Sequence, residues 1–111
     1  MNTAILEKFL NSYKRMSKAN SIKLMGVDGR IVFDFTPSGD GIWLVEFING
    51  ILQPIRQETV EDYDARLTTR LEDMIRAQRE HITVPDAIAQ GWLKVEGNAA
   101  LVSKLSQAGM S

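Results

Sequence analysis

Two runs of alternating residues, the second ending at Asn49-Gly50, constrain this chain more than any other feature. Ile31, Phe33 and Phe35 alternate with Val32, Asp34 and Thr36, and Trp43, Val45 and Phe47 alternate with Leu44 and Glu46. A period of two puts one set of side chains on a buried face and the other toward water. Asn49-Gly50 is a hairpin signal, because both central residues of a type I′ turn need positive φ. Thr36-Pro37-Ser38-Gly39-Asp40-Gly41 is a turn by composition. Ile51 to Gln57 reads as a third strand, with Pro54 marking an edge or a bulge. Ala65 to Thr68 reads as a fourth. Four strands with short connections predict an antiparallel meander.

The flanks change period. Ile5, Leu6, Phe9, Leu10, Tyr13 and Met16 recur every three or four residues, which predicts a helix from a cap at Asn2 or Thr3 to a stop near Ala19-Asn20. Lys8, Lys14, Arg15 and Lys18 fall on its opposite arc. Thr69-Arg70-Leu71-Glu72 has the form of a capping box before a helix reaching about Glu80. Thr83 caps a short helix with Pro85 in its first turn, and Gly91 ends it. Trp92 to Glu96 reads as a fifth strand. Gly97-Asn98 opens a last helix that ends by Gly109. The order α-β-β-β-β-α-α-β-α predicts an α+β fold, an antiparallel five-stranded sheet with helices covering one face, as a single domain over residues 1–111.

Composition narrows the chemistry. Cysteine is absent, which excludes disulfides, thiolate metal sites and a cysteine nucleophile. Net charge is −1 but unevenly placed: residues 1–30 carry six basic and two acidic groups, and residues 31–64 carry Arg56 against seven acids. No dense basic patch interleaved with aromatics exists, so no nucleic-acid partner is expected. No apolar run approaches a membrane span, and Met-Asn-Thr-Ala-Ile-Leu-Glu-Lys lacks the order of a signal peptide. A cytoplasmic location is therefore expected.

Ala87-Ile88-Ala89-Gln90-Gly91-Trp92-Leu93-Lys94-Val95-Glu96-Gly97-Asn98, followed by Leu101 and Lys104-Leu105, resembles the hallmark of the sterol carrier protein 2 (SCP-2) domain. Gly41-Ile42-Trp43, Phe47 and Asn49-Gly50 resemble that family's glycine-x-tryptophan strand and hairpin. The likeness spans roughly residues 30–108. Two departures stand out: the family usually has a glycine between its middle helices, where this chain reads Arg79-Glu80-His81-Ile82, and the acidic segment Glu58 to Asp64 belongs to no motif of the family. The resemblance implies an SCP-2-like fold and non-enzymatic binding or transfer of a lipid (fatty acyl, sterol-like or isoprenoid) in an apolar tunnel between sheet and helices. It brings no catalytic residues and no cofactor.

The residues themselves allow such a tunnel. Phe33, Phe35, Trp43, Val45 and Phe47 form a broad sheet face, and Met74, Ile88, Trp92, Leu101, Leu105 and Met110 are candidates to cover it. Each is either a ligand wall or plain core, with Leu105 and Met110 the best ligand candidates because a C-terminal segment is often a mobile lid. Methionine suits a wall for guests of varied shape. An empty closed cavity of about 500 Å³ would cost roughly 12 kcal/mol at 24 cal/mol per Å³, as much as a whole domain's stability. The hollow is therefore expected to be filled, open or partly collapsed.

Other chemistry is thinly supported. Glu58, Glu61, Asp62 and Asp64 lack the spacing of a calcium loop, so no metal is expected. His81 is the only histidine, and nothing places it with Asp86 and Ser103 as a triad. Lys8, Lys14, Arg15 and Lys18 face either water or a membrane surface. The alternative function is an accessory or oligomerisation module of a lipid-handling enzyme or complex, its apolar face meeting another subunit or an identical copy in a homodimer.

Overall fold

The computed structural model describes residues 3–110, and the capping expected of Asn2 or the Thr3 side chain lies outside the described residues and side chains. Helix α1 spans Thr3–Ala19. Its buried face is Leu6, Phe9, Leu10, Tyr13 and Ser17, while Ile5, expected on that face, is 45% exposed. Asn20 stops the helix, its Nδ2 donating to Met16 O. Strand β1 (Gly29–Asp34) and β2 (Ile42–Ile48) pair antiparallel with Ile31 opposite Val45 and Phe33 opposite Trp43. Asn49 and Gly50 take φ of 50° and 78°, as the hairpin requires.

The third strand divides. Pro54, which has no N–H for the ladder, separates β3 (Ile51–Leu52) from β4 (Arg56–Gln57), and both pair with β2. Next, β5 (Ala65–Thr69) pairs with β1 in parallel, and β6 (Leu93–Gly97) pairs antiparallel with β5. The expected antiparallel five-stranded sheet with its four-strand meander is thus a six-stranded mixed sheet in the order β3-β2-β1-β5-β6, with β4 beside β2. The α+β class stands. The meander fails because residues 58–64 are a crossover rather than a turn. Three strand spacings of about 4.8 Å separate β4 from β5, within reach of an extended linker at roughly 3.3 Å per residue. The crossover passes over the sheet face away from the helices. There the Arg30 guanidinium donates to Asp62 O and lies 3.6 Å from Glu46, and the Asp64 carboxylate accepts from Arg30 N–H at 2.8 Å. Val32 and Leu44, on that face, are buried. The acidic segment is a structural strap.

Helix α2 (Leu71–Arg79) starts without the expected capping box. Arg70 occupies the cap position, Leu71 N–H donates to Ser38 Oγ, and the Thr69 hydroxyl donates to Trp92 O. Thr69 ends β5, so its side chain joins the strand end to the segment entering β6, and Glu72 pairs with Arg70. Helix α3 (Val84–Ala89) is capped by Thr83, and Gly91 follows in the left-handed conformation. Helix α4 (Ala99–Gln107) is capped by the Asn98 side chain, which accepts from Leu101 N–H.

Candidate functional site

The aromatic sheet face is covered first by α1. Phe9 meets Phe35 edge-on with ring centroids 5.7 Å apart, and Tyr13 meets Phe33 edge-on at 5.4 Å. Phe35, Val45 and Phe47 are fully enclosed in this packing and reach no cavity. Trp43 is half-buried at the strand end, its Nε1 donating to Asp40 O. Leu101 packs against Gly29. Ile88 is 46% exposed, and Trp92 lies on the surface side with the Arg76 guanidinium 4.8 Å over its ring. These seven expected wall residues therefore do not line the cavity.

An apolar cavity opens farther along the same face, where α1 no longer fills the space. Phe33, Leu67 and Leu93 floor it; Tyr13 of α1 and Met74 and Ala77 of α2 form one side. Val84 and Ala87 of α3, with Ile82 and Thr83, form another. Val102, Leu105 and Ser106 of α4 and then Met110 close it. Of the expected residues, Phe33, Met74, Leu105 and Met110 meet here. Those missed have a readable cause. Ala77 and Ala87 face inward on α2 and α3, and side chains that small leave space between helix and sheet. Burial pushes the Tyr13 phenol well above its ordinary pKa, so it stays neutral.

The cavity holds about 50 Å³. Sites for drug-sized ligands run about 300–1,000 Å³. At 24 cal/mol per Å³ the present void costs only about 1 kcal/mol, whereas 300 Å³ would cost about 7. A guest of lipid length must therefore move the walls. They are not equally firm. From Glu72 to Trp92 only Ala87 is buried, whereas Leu101, Val102, Leu105, Ala108 and Met110 are all buried. The C-terminal segment, expected as a lid, is the more deeply buried wall, with Met110 N–H donating to Leu105 O. The α2–α3 wall is the lightly held one.

No group of His, Asp or Glu among the described residues could hold a metal ion, and no described helix is long and apolar enough to cross a membrane.

The architecture recurs in solved structures. Sterol carrier protein 2 like 2 from Aedes aegypti superposes with a TM-score of 0.71 at 25% identity, covering 95% of this chain and 96% of that one. The palmitated protein of that name from the same species gives 0.65 at 24% identity, over 93% and 92%. The stereoselective inverting sec-alkylsulfatase Pisa1 from Pseudomonas sp. gives 0.70 at 18% identity over 79% of this chain and 14% of the sulfatase, so the chain spans about a seventh of that enzyme. No curated protein sequence matches the chain. Over residues 10–108 the sequence matches the SCP-2 sterol transfer family, with the fold in agreement, and the chain belongs to that family.

Proposed function

We propose that this protein binds and transfers an apolar lipid, fatty acyl, sterol-like or isoprenoid, in the space between α2–α3 and the sheet, without chemical change to it. The observation carrying this reading is the apolar cavity between a deeply buried floor and a lightly held wall. Its lining offers hydroxyls at Tyr13, Thr83 and Ser106 but no histidine, carboxylate or amine. Burying about 300 Å² of guest at 25 cal/mol per Å² gives about 7 kcal/mol before ordering costs, a micromolar site at best. The palmitated state of the Aedes aegypti relative supports an acyl chain as one such guest.

A fluorescent fatty acid should bind saturably and be displaced by unlabelled lipid. Ala77→Phe places a ring where the chain must lie, so affinity should fall at least about tenfold, about 1.4 kcal/mol. Overpacking should cost stability no more than about 1–3 kcal/mol. Unchanged affinity in that variant would place the guest elsewhere.

Delivery to a membrane surface fits α1. Lys8, Lys14, Arg15 and Lys18 are exposed and form no ion pair among the described residues. Ile22 and Met25, beyond the helix end, are 82% and 74% exposed. Sedimentation should follow vesicles containing anionic phospholipid and not neutral ones. Each Lys→Gln change should weaken it about fivefold, as expected for about 1 kcal/mol per basic residue. Binding indifferent to lipid charge would rule this docking out.

A second reading, an oligomerisation or accessory module, draws on the hairpin tip. Ile48 and Ile51 pair there and are both exposed, with Met25 beside Gly50. Ligand-independent dimerisation by light scattering, with no displacement of the fluorescent acid, would favour it.

A further inference from the structure

The cavity and an open surface groove share one thin wall. Tyr13 lines the cavity while Ser12 and Met16 line the groove. Met74 and Ala77 face the cavity while Ile75 and Gln78 face the groove. At the C-terminal end Met110 lies inside and Gly109 outside. A single layer of side chains, where α1, α2 and residues 109–110 meet, therefore separates inside from outside.

The outer side of that seam carries polar groups without partners. Gln78 Nε2 is buried and has no hydrogen-bond partner, although a buried amide ordinarily finds one. Arg79 forms no ion pair among the described residues, while Arg30, Arg56, Arg66 and Arg70 each do. Arg79 also borders a second groove containing Asp40 and Glu72 but pairs with neither. His81 completes the rim with φ of 54°, a conformation that side-chain-bearing residues rarely adopt. That conformation ends α2, with Ile82 N–H donating to Ala77 O at 2.9 Å, and it leaves the imidazole lining the groove. No carboxylate lines the groove.

We propose that this α1–α2 seam is the mouth of the cavity, and that Gln78, Arg79 and His81 hold the anionic head of an amphiphile whose chain lies inside. The head is a carboxylate or a phosphate ester: both offer oxygens to a guanidinium fork, an amide N–H and an imidazole N–H. This deepens the lipid-binding reading and rests on it.

The test uses the full chain and displacement of an uncharged fluorescent alkyl probe by hexadecanoic acid, hexadecyl phosphate and methyl hexadecanoate. At least one anion should compete at least about tenfold better than the ester, as charge-assisted hydrogen bonds imply. The Arg79→Gln, His81→Gly double variant should abolish that preference, the anions losing far more affinity than the ester. Glycine suits the backbone at position 81, so the variant should fold, and its melting curve verifies this. The anion that loses more affinity is the head the seam takes. If acid, phosphate and ester compete equally and the double variant changes nothing, the head site is overturned while the lipid cavity stands. If the uncharged probe itself fails to bind, the lipid reading falls and the head site with it.

Discussion

Asp34→Ala lowers the unfolding free energy by about 3 kcal/mol. The Asp34 carboxylate is buried on the face opposite the helices and accepts from Thr36 N–H at 2.9 Å and from the Thr36 hydroxyl at 2.6 Å. Its other oxygen accepts from the Arg66 guanidinium of the neighbouring parallel strand. Removing it leaves a half-buried arginine without its counter-ion and a turn without its anchor. Breaking a wholly buried pair costs about 3–5 kcal/mol. Arg66 keeps a third of its side chain exposed, so the lower end applies. At about 4–8 °C per kcal/mol for a domain of this size, the melting temperature should drop by roughly 12–24 °C.

The same group predicts a pH signature. Burial raises the Asp34 pKa, but the Thr36 hydrogen bonds and the Arg66 charge outweigh it and hold the carboxyl below its ordinary value. A carboxyl depressed in the folded state contributes stability above its unfolded pKa of about 3.9, and that contribution is lost as pH falls through the folded value. The gap between wild type and Asp34→Ala should therefore be full at pH 7 and narrow below about pH 4. Thermal melts across that range measure it. A gap that stays constant into acid would mean that ionisation of Asp34 contributes nothing.

Gly97→Ala should cost as much or more, about 3–5 kcal/mol, by two additive causes. Gly97 has φ of 85°, and a Cβ there would stand 2.4 Å from Asp64 O. Backbone cannot yield as a side chain can. The next residue's N–H donates to that same Asp64 O at 2.7 Å, and its side chain caps α4. One methyl group would thus separate β6 from the crossover and tilt the helix that closes the cavity. Gly91 is the control: φ is 77° but the space around it is open, so Gly91→Ala should cost only about 1 kcal/mol. Urea denaturation of both variants tests the contrast, and equal losses would refute the steric account. The glycine of the family hallmark is then explained by backbone-to-backbone contact, not by turn formation alone.

The candidate site was half legible. Phe33, Met74, Leu105 and Met110 could be named because large apolar residues on a sheet face and on covering helices are visible as periodicity. Phe35, Val45 and Phe47 belong to the same pattern but lie beneath α1, and no local pattern says how far along the sheet that helix extends. Ala77 and Ala87 carry no such signal, because a hollow is made by the absence of bulk. The crossover was misread for a related reason. Seven mostly polar residues between two strands look alike whether they turn or span the sheet.

Sequence alone determined the elements, since the period of apolar residues, Asn49-Gly50 and the caps at Thr83 and Asn98 act within a few residues of backbone. It also marked the family, through the run from Ala87 to Leu105. Tertiary structure decided that β5 lies parallel to β1, that the acidic strap covers the outer face, and that the void sits beside Tyr13 rather than over Phe35. Those outcomes depend on which surfaces meet across the sheet, a competition among non-local contacts that no stretch of chain encodes by itself.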